Sequence, residues 1–114
     1  MSALQLHIRP VERSDYDQWH QMWTKYLEFT KSSVAPEVYI STFDRFFDEG
    51  EFEPNCLIAQ SGDQMVGLVH FLYHRHNWFP QNDCYLQDLY ADETRRGTGI
   101  GRKLIEAVYA RADA

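Results

Sequence analysis

Leu4, Leu6 and Ile8 alternate with polar residues, the period of a half-buried strand, and Pro10 closes the run. The period then changes. Tyr16, Trp19, Trp23, Tyr26 and Leu27 recur at three- and four-residue steps. This predicts an amphipathic helix over about 14–29 with an almost wholly aromatic apolar face. Ser14-Asp15 offers its start, and Asp15 and Asp17 put negative charge in the first turn, where the helix dipole favours it. Pro36 suits the first turn of a second helix, to about residue 48, with Val38, Tyr39, Phe43, Phe46 and Phe47 as its buried stripe.

A hairpin follows. Cys56–Ala59 reads as a short apolar strand, Ser61-Gly62-Asp63 as a turn, and Met65–Tyr73 as a longer strand. Gly67 inside that strand predicts a bulge or a close backbone approach. Asn77–Asn82 is a loop with two aromatics, Trp78 and Phe79, and a candidate cleft wall. The chain then returns as a strand over Asp83–Tyr90. A last helix begins near Ile100, with Ile100, Leu104, Ile105, Val108, Tyr109 and Ala112 on one face. The order β-α-α-β-β-β-α predicts a mixed α/β fold around a mainly antiparallel sheet, as one domain over 1–114.

Between the last strand and the last helix lies Arg95-Arg96-Gly97-Thr98-Gly99-Ile100-Gly101-Arg102-Lys103. Glycines where a helix begins leave backbone amides accessible, and with the helix dipole these form an anion site, most often for phosphate. The chain carries a net charge of −6, yet sets four of its eleven Lys and Arg residues in these nine positions. A Walker A loop fails, because Arg102 stands where GxxxxGK requires the second glycine. A dinucleotide fingerprint fails too, since the spacing here is GxGxG and not GxGxxG.

Charge and composition narrow the rest. The acidic balance argues against general nucleic-acid binding, which uses a basic face. The chain has no apolar run of about 18 residues and no basic-then-apolar leader, so membrane insertion and secretion are not expected and the cytoplasm is. Cys56 and Cys84 lack CxxC spacing and read as buried, reduced thiols. His70, His74 and His76 lack a carboxylate or cysteine at ligand spacing, so polar edge positions are expected and no metal. Asp44, Asp48, Glu49, Glu51 and Glu53 cluster around Gly50 as a solvated loop or an acidic lip that attracts amines.

The run Arg96-Gly97-Thr98-Gly99-Ile100-Gly101, preceded by Tyr85-Leu86-Gln87-Asp88-Leu89-Tyr90, resembles the GNAT superfamily of acyl-CoA-dependent N-acetyltransferases. It is similar to the branch holding the yeast histone/polyamine and the spermidine/spermine acetyltransferases. Trp19, Trp23, the Trp78 loop and Lys103-Leu104-Ile105 add to that likeness. The resemblance implies that acetyl-CoA is the cofactor, with its pyrophosphate on the amides around Arg96, Gly97, Thr98, Gly99, Ile100, Gly101 and Arg102. It implies that Leu89, Tyr90 and Ala91 pair with the pantetheine arm, one amide there polarising the thioester carbonyl. A neutral primary amine of a polyamine, amino acid or lysine side chain would attack directly. Trp23, Tyr26, Trp78, Tyr85 and Gln87 are the candidate amine-site residues.

Two departures qualify the likeness. Where that branch often has a glutamate, this chain has Gln87, which cannot take up a proton. Asp88 becomes the candidate catalytic carboxylate, although strand neighbours ordinarily face opposite ways. Asp83 and Glu93 are weaker candidates. The family also continues past this helix with a strand, a helix and a final hairpin. Truncation, a homodimer with strand exchange, and loss of catalysis are the resulting expectations. The last gives a rival function: a catalytically silent acyl-CoA-binding or dimerisation module.

Overall fold

The computed structural model describes residues 6–95 and 97–113, so Leu4 and Arg96 lie outside the described residues. Four strands follow the two-residue pattern: β1 (Leu6–Pro10), β2 (Asn55–Ser61), β3 (Gln64–Arg75) and β4 (Asn82–Ala91). They form one antiparallel sheet in the order β1-β2-β3-β4. Helices α1 (Tyr16–Phe29) and α2 (Pro36–Arg45) cover one face, and α3 (Ile100–Ala112) the other. Among the described residues no helix is long and apolar enough to cross a membrane.

The alternation of β2 and β3 sorts the core into two layers. Cys56, Ile58 and Leu68 face α1 and α2, where Trp19, Trp23, Tyr39 and Phe43 meet them. Leu57, Ala59 and Val69 face Ile100, Leu104 and Val108 of α3. Trp19 is 0% exposed and anchors the aromatic layer, stacked on Trp23 at 5.2 Å between ring centroids and packed against Phe43 at 5.0 Å. Burying rings of this size is the main source of stability in so small a domain.

Gly67 fulfils both of its readings. Ala59 pairs with Gly67 and Gln60 with Met65, so Val66 is an extra residue beside it. A Cβ at Gly67 would stand 2.8 Å from Ile100 Cγ2 and 3.1 Å from the Tyr90 carbonyl oxygen. The missing side chain thus lets α3 and β4 settle against β3.

Three expectations are corrected. Helix α2 stops at Arg45, not near residue 48, because Phe46, Phe47 and Asp48 bond back to Phe43, Asp44 and Arg45 in a tighter three-residue pattern. Cys84 is only half-buried, whereas Cys56 is buried; both thiols are free. His70 is not a polar edge position but is 3% exposed, since α1 lies across this part of β3.

Asp15 does more than favour a helix dipole. It is buried, accepts two hydrogen bonds from the Arg9 guanidinium at 2.8 and 2.9 Å, and accepts another from the Glu12 amide at 2.7 Å. The Arg9 bonds, with the Glu12 amide, hold its carboxyl below the usual value against burial, which pushes it up. A depressed folded-state pKa makes this pair's contribution complete above about pH 4 and removes it as pH falls through the folded value. Asp15→Asn is therefore expected to cost about 1–3 kcal/mol at neutral pH. Urea titrations at pH 7 and below pH 3 check it: the difference between variant and wild type should shrink in acid.

Candidate functional site

β4 carries one register shift that shapes the site. His70 pairs with Asp88 and Phe71 with Leu86, which leaves Gln87 as an extra residue. Before it, Cys84 and Leu86 pack toward α3; after it, Leu89 and Ala91 do, while Tyr90 joins the α1 layer. The bulge thereby turns Gln87 and Asp88 to the same side, and both line one cavity of about 450 Å³. Neighbours on a regular strand would have faced apart.

Asp88 sits at the cavity-facing end of a hydrogen-bond chain that runs inward through His70 to Trp19. The Trp19 indole N–H donates to His70 Nε2 at 3.0 Å. An indole can only donate, so Nε2 accepts and the ring proton sits on Nδ1, which donates to Asp88 Oδ2 at 2.8 Å. Burial is the largest single influence and pushes the Asp88 carboxyl up, but the His70 interaction and smaller contributions from the Tyr26 O–H and Trp23 N–H together outweigh it. The net result lies below the ordinary value, and Asp88 is an anion at neutral pH. Trp23 Nε1 is buried without a well-formed hydrogen bond of its own, yet its dipole favours that anion. Tyr26 shows the reciprocal effect: burial first, then the Asp88 charge, raises its phenol above the usual value.

The remaining walls come from α2 and the segment after it, including Val38, Arg45, Phe46, Phe52 and Glu53. Of the acidic run, only Glu53 lines this cavity. Asp44 pairs with Arg13 at 2.6 Å, and Glu51 accepts from Asn82 at 2.8 Å. Trp23, Gln87 and Asp88 are thus brought together, with Tyr26 beside them. Trp78 stands apart at 83% exposure in the loop after β3, and Tyr85 is 51% exposed near His74.

A second cavity, of about 390 Å³, opens where β4 meets α3. Leu89, Tyr90, Ala91, Gly97, Gly99 and Gly101 are among its lining, with Phe29 of α1 opposite. Gly97 and Gly99 both have φ of 86°, a left-handed conformation that glycine adopts without strain, and a Cβ at either would meet nothing within 4 Å. Ile100 begins α3, whose first amides have no acceptor within the helix itself and stand at its positive end. Thr98 donates its hydroxyl to the Arg95 carbonyl, closing the turn. Arg102 is exposed and pairs with Glu106 at 3.5 Å. Asp92 fixes the approach by accepting the Thr94 amide and hydroxyl at 2.9 and 2.8 Å.

The sequence reading missed His70. Its only signal was a histidine within an otherwise apolar strand, and its partner Asp88 is 18 residues away across a bulge.

Comparison with known proteins bears on the family and the fold. The profile described as the acetyltransferase (GNAT) family matches residues 16–114. D-amino-acid N-acetyltransferase HPA3 of Saccharomyces cerevisiae is 38% identical over 108 residues, covering 93% of this chain; the chain spans 66% of that relative's length. Among solved structures, an aminoglycoside N-acetyltransferase in complex with CoA is similar with a TM-score of 0.82 at 12% identity, over 98% of this chain and 72% of that one. A ribosomal-protein-alanine N-acetyltransferase from Brucella melitensis biovar Abortus 2308 gives 0.76 at 16% identity, over 96% and 72%. At these identities the two structures establish the likeness of fold.

Proposed function

This chain belongs to the acetyltransferase (GNAT) family, and on that premise we propose that it moves an acetyl group from acetyl-CoA to a primary amine. The observation that carries the reading is the bulge at Gln87. It makes β4 the shared wall of two cavities, one holding an anionic carboxylate and one ending at a glycine turn.

The glycine-turn cavity fits the cofactor. Gly97 and Gly99 keep side chains out of the space in front of α3, so the amides of Ile100, Gly101 and Arg102 can take a pyrophosphate. Leu89–Ala91 would align the pantetheine arm, and an amide there would stabilise charge growing on the acyl oxygen. Bound acetyl-CoA supplies a thioester carbonyl that a neutral amine attacks with loss of the CoA thiol.

The amine arrives as an ammonium, which has no lone pair and must lose a proton first. Asp88 draws it in as an anion whose orientation is fixed through His70 and Trp19. Its depressed pKa makes it too weak a base to take the ammonium's proton, which goes to solvent, so Asp88 stays charged and holds the amine in place. Trp23 and Gln87 border the amine in this reading, and Tyr26 holds the far side of Asp88. The yeast relative is named for D-amino acids, which supports a small primary amine as acceptor.

The test is thiol release from acetyl-CoA by the 114-residue chain with a panel of amino acids, polyamines and a lysine peptide. Release above the amine-free rate is expected for at least one acceptor. Tight CoA binding with no release in any case would decide for the silent module.

A further inference from the structure

We infer that Arg45 selects the acceptor by anchoring a carboxylate, so that the amine delivered to Asp88 belongs to an amino acid and not to a polyamine. This rests on the acetyl-transfer reading of the cavity and goes further by naming the substrate class. Three side chains with formal charge line the space: Arg45, Glu53 and Asp88. Asp88 is already committed to His70 at 2.8 Å and has the geometry to receive an ammonium. Arg45 is different. Among the described residues its side chain has neither a hydrogen bond nor an ion pair, and Glu53 lies beyond salt-bridge distance although it lines the same cavity. The nearest carboxylate in sequence, Asp44, is held by Arg13.

A cation in the last turn of α2 favours that helix's dipole and needs no other explanation for being there. Its place in the cavity has a separate consequence. A polyamine would bring a second ammonium toward Arg45 and be repelled, whereas an amino acid would bring the one group that a guanidinium binds best, in a two-pronged pair. The remaining wall suits the rest of such a molecule, because Val34, Val38, Phe46, Phe52 and Leu72 are apolar. Arg45 is exposed, so solvent screens it, and a moderate preference is expected in place of absolute selection.

Kinetics with phenylalanine, in both enantiomers, and 2-phenylethylamine isolate the carboxylate, since the two differ in that group alone. Spermidine serves as the polyamine. Wild type should favour phenylalanine. Arg45→Gln should lower the phenylalanine-to-phenylethylamine ratio of kcat/KM about tenfold or more, chiefly through KM, and Arg45→Lys should recover part of it. An unchanged ratio in Arg45→Gln, or a wild-type preference for spermidine, overturns the inference. If no amine releases thiol, the acetyl-transfer reading fails while Arg45 is still tested by calorimetric titration of the same two ligands. Tenfold weaker phenylalanine binding in Arg45→Gln would then uphold the anchor, and equal binding by wild type and variant would overturn it.

Discussion

Gly99→Glu is expected to abolish measurable CoA binding while leaving the domain folded. Gly99 caps α3 with a φ of 86°, and an added Cβ meets nothing within 4 Å. No steric clash therefore threatens the fold, and the cost is the left-handed backbone, about 1–2 kcal/mol for a residue with a side chain. Glutamate adds to this a negative charge in front of the α3 amides, where a pyrophosphate would rest. It both competes for those amides and repels the phosphates. Gly99→Ala shares the backbone strain and lacks the charge, so it separates the two effects. Calorimetric titration with CoA should show at least a hundredfold loss for the glutamate and a few-fold loss for the alanine. Undiminished affinity in Gly99→Glu, with a native circular dichroism spectrum, would remove the turn from the cofactor site.

How this site was legible in the chain depends on whether local spacing or long-range pairing built each part. The glycine turn could be read directly, since three glycines at alternate positions before an amphipathic run are a local property of the chain. The same holds for the sheet and helices, because periods of two and 3.6 residues survive in sequence whatever they pack against. Helix α2 was read about three residues too long because Phe46 and Phe47 continue its apolar stripe, and the tighter turn that ends it leaves no compositional mark. The cavity beside Asp88 was less accessible. Gln87 and Asp88 share it only because β4 slips one residue against β3, and nothing in Tyr85–Tyr90 announces a slip. His70 was hidden for the same reason. Its burial depends on Trp19, 51 residues earlier, crossing β3 at that point. Polar groups become a site when distant segments enclose them, which is the information a single pass along the chain contains least.

Asp88→Asn is expected to reduce kcat/KM toward amines by about a hundredfold or more, with acetyl-CoA affinity retained. The substitution removes the charge and keeps an oxygen that can accept the His70 Nδ1–H, so the buried chain to Trp19 need not be broken. Stability should therefore change little, and the loss should fall on the amine. The pH profile makes the role specific. Burial raises the Asp88 carboxyl most, but the His70, Tyr26 and Trp23 interactions together lower it by more, so it is already ionised throughout the neutral and alkaline range. A rise in wild-type rate between neutral and alkaline pH must then come from deprotonation of the amine. Asp88→Asn should keep that alkaline limb at reduced height. Loss of the limb itself would mean that Asp88 titrates near neutrality as the terminal base, which the hydrogen bond from His70 opposes. A retained limb and a lowered plateau would instead place Asp88 as the anion that gathers and orients the amine. That role calls for a carboxylate kept charged, and the Trp19–His70 chain favours the charged form.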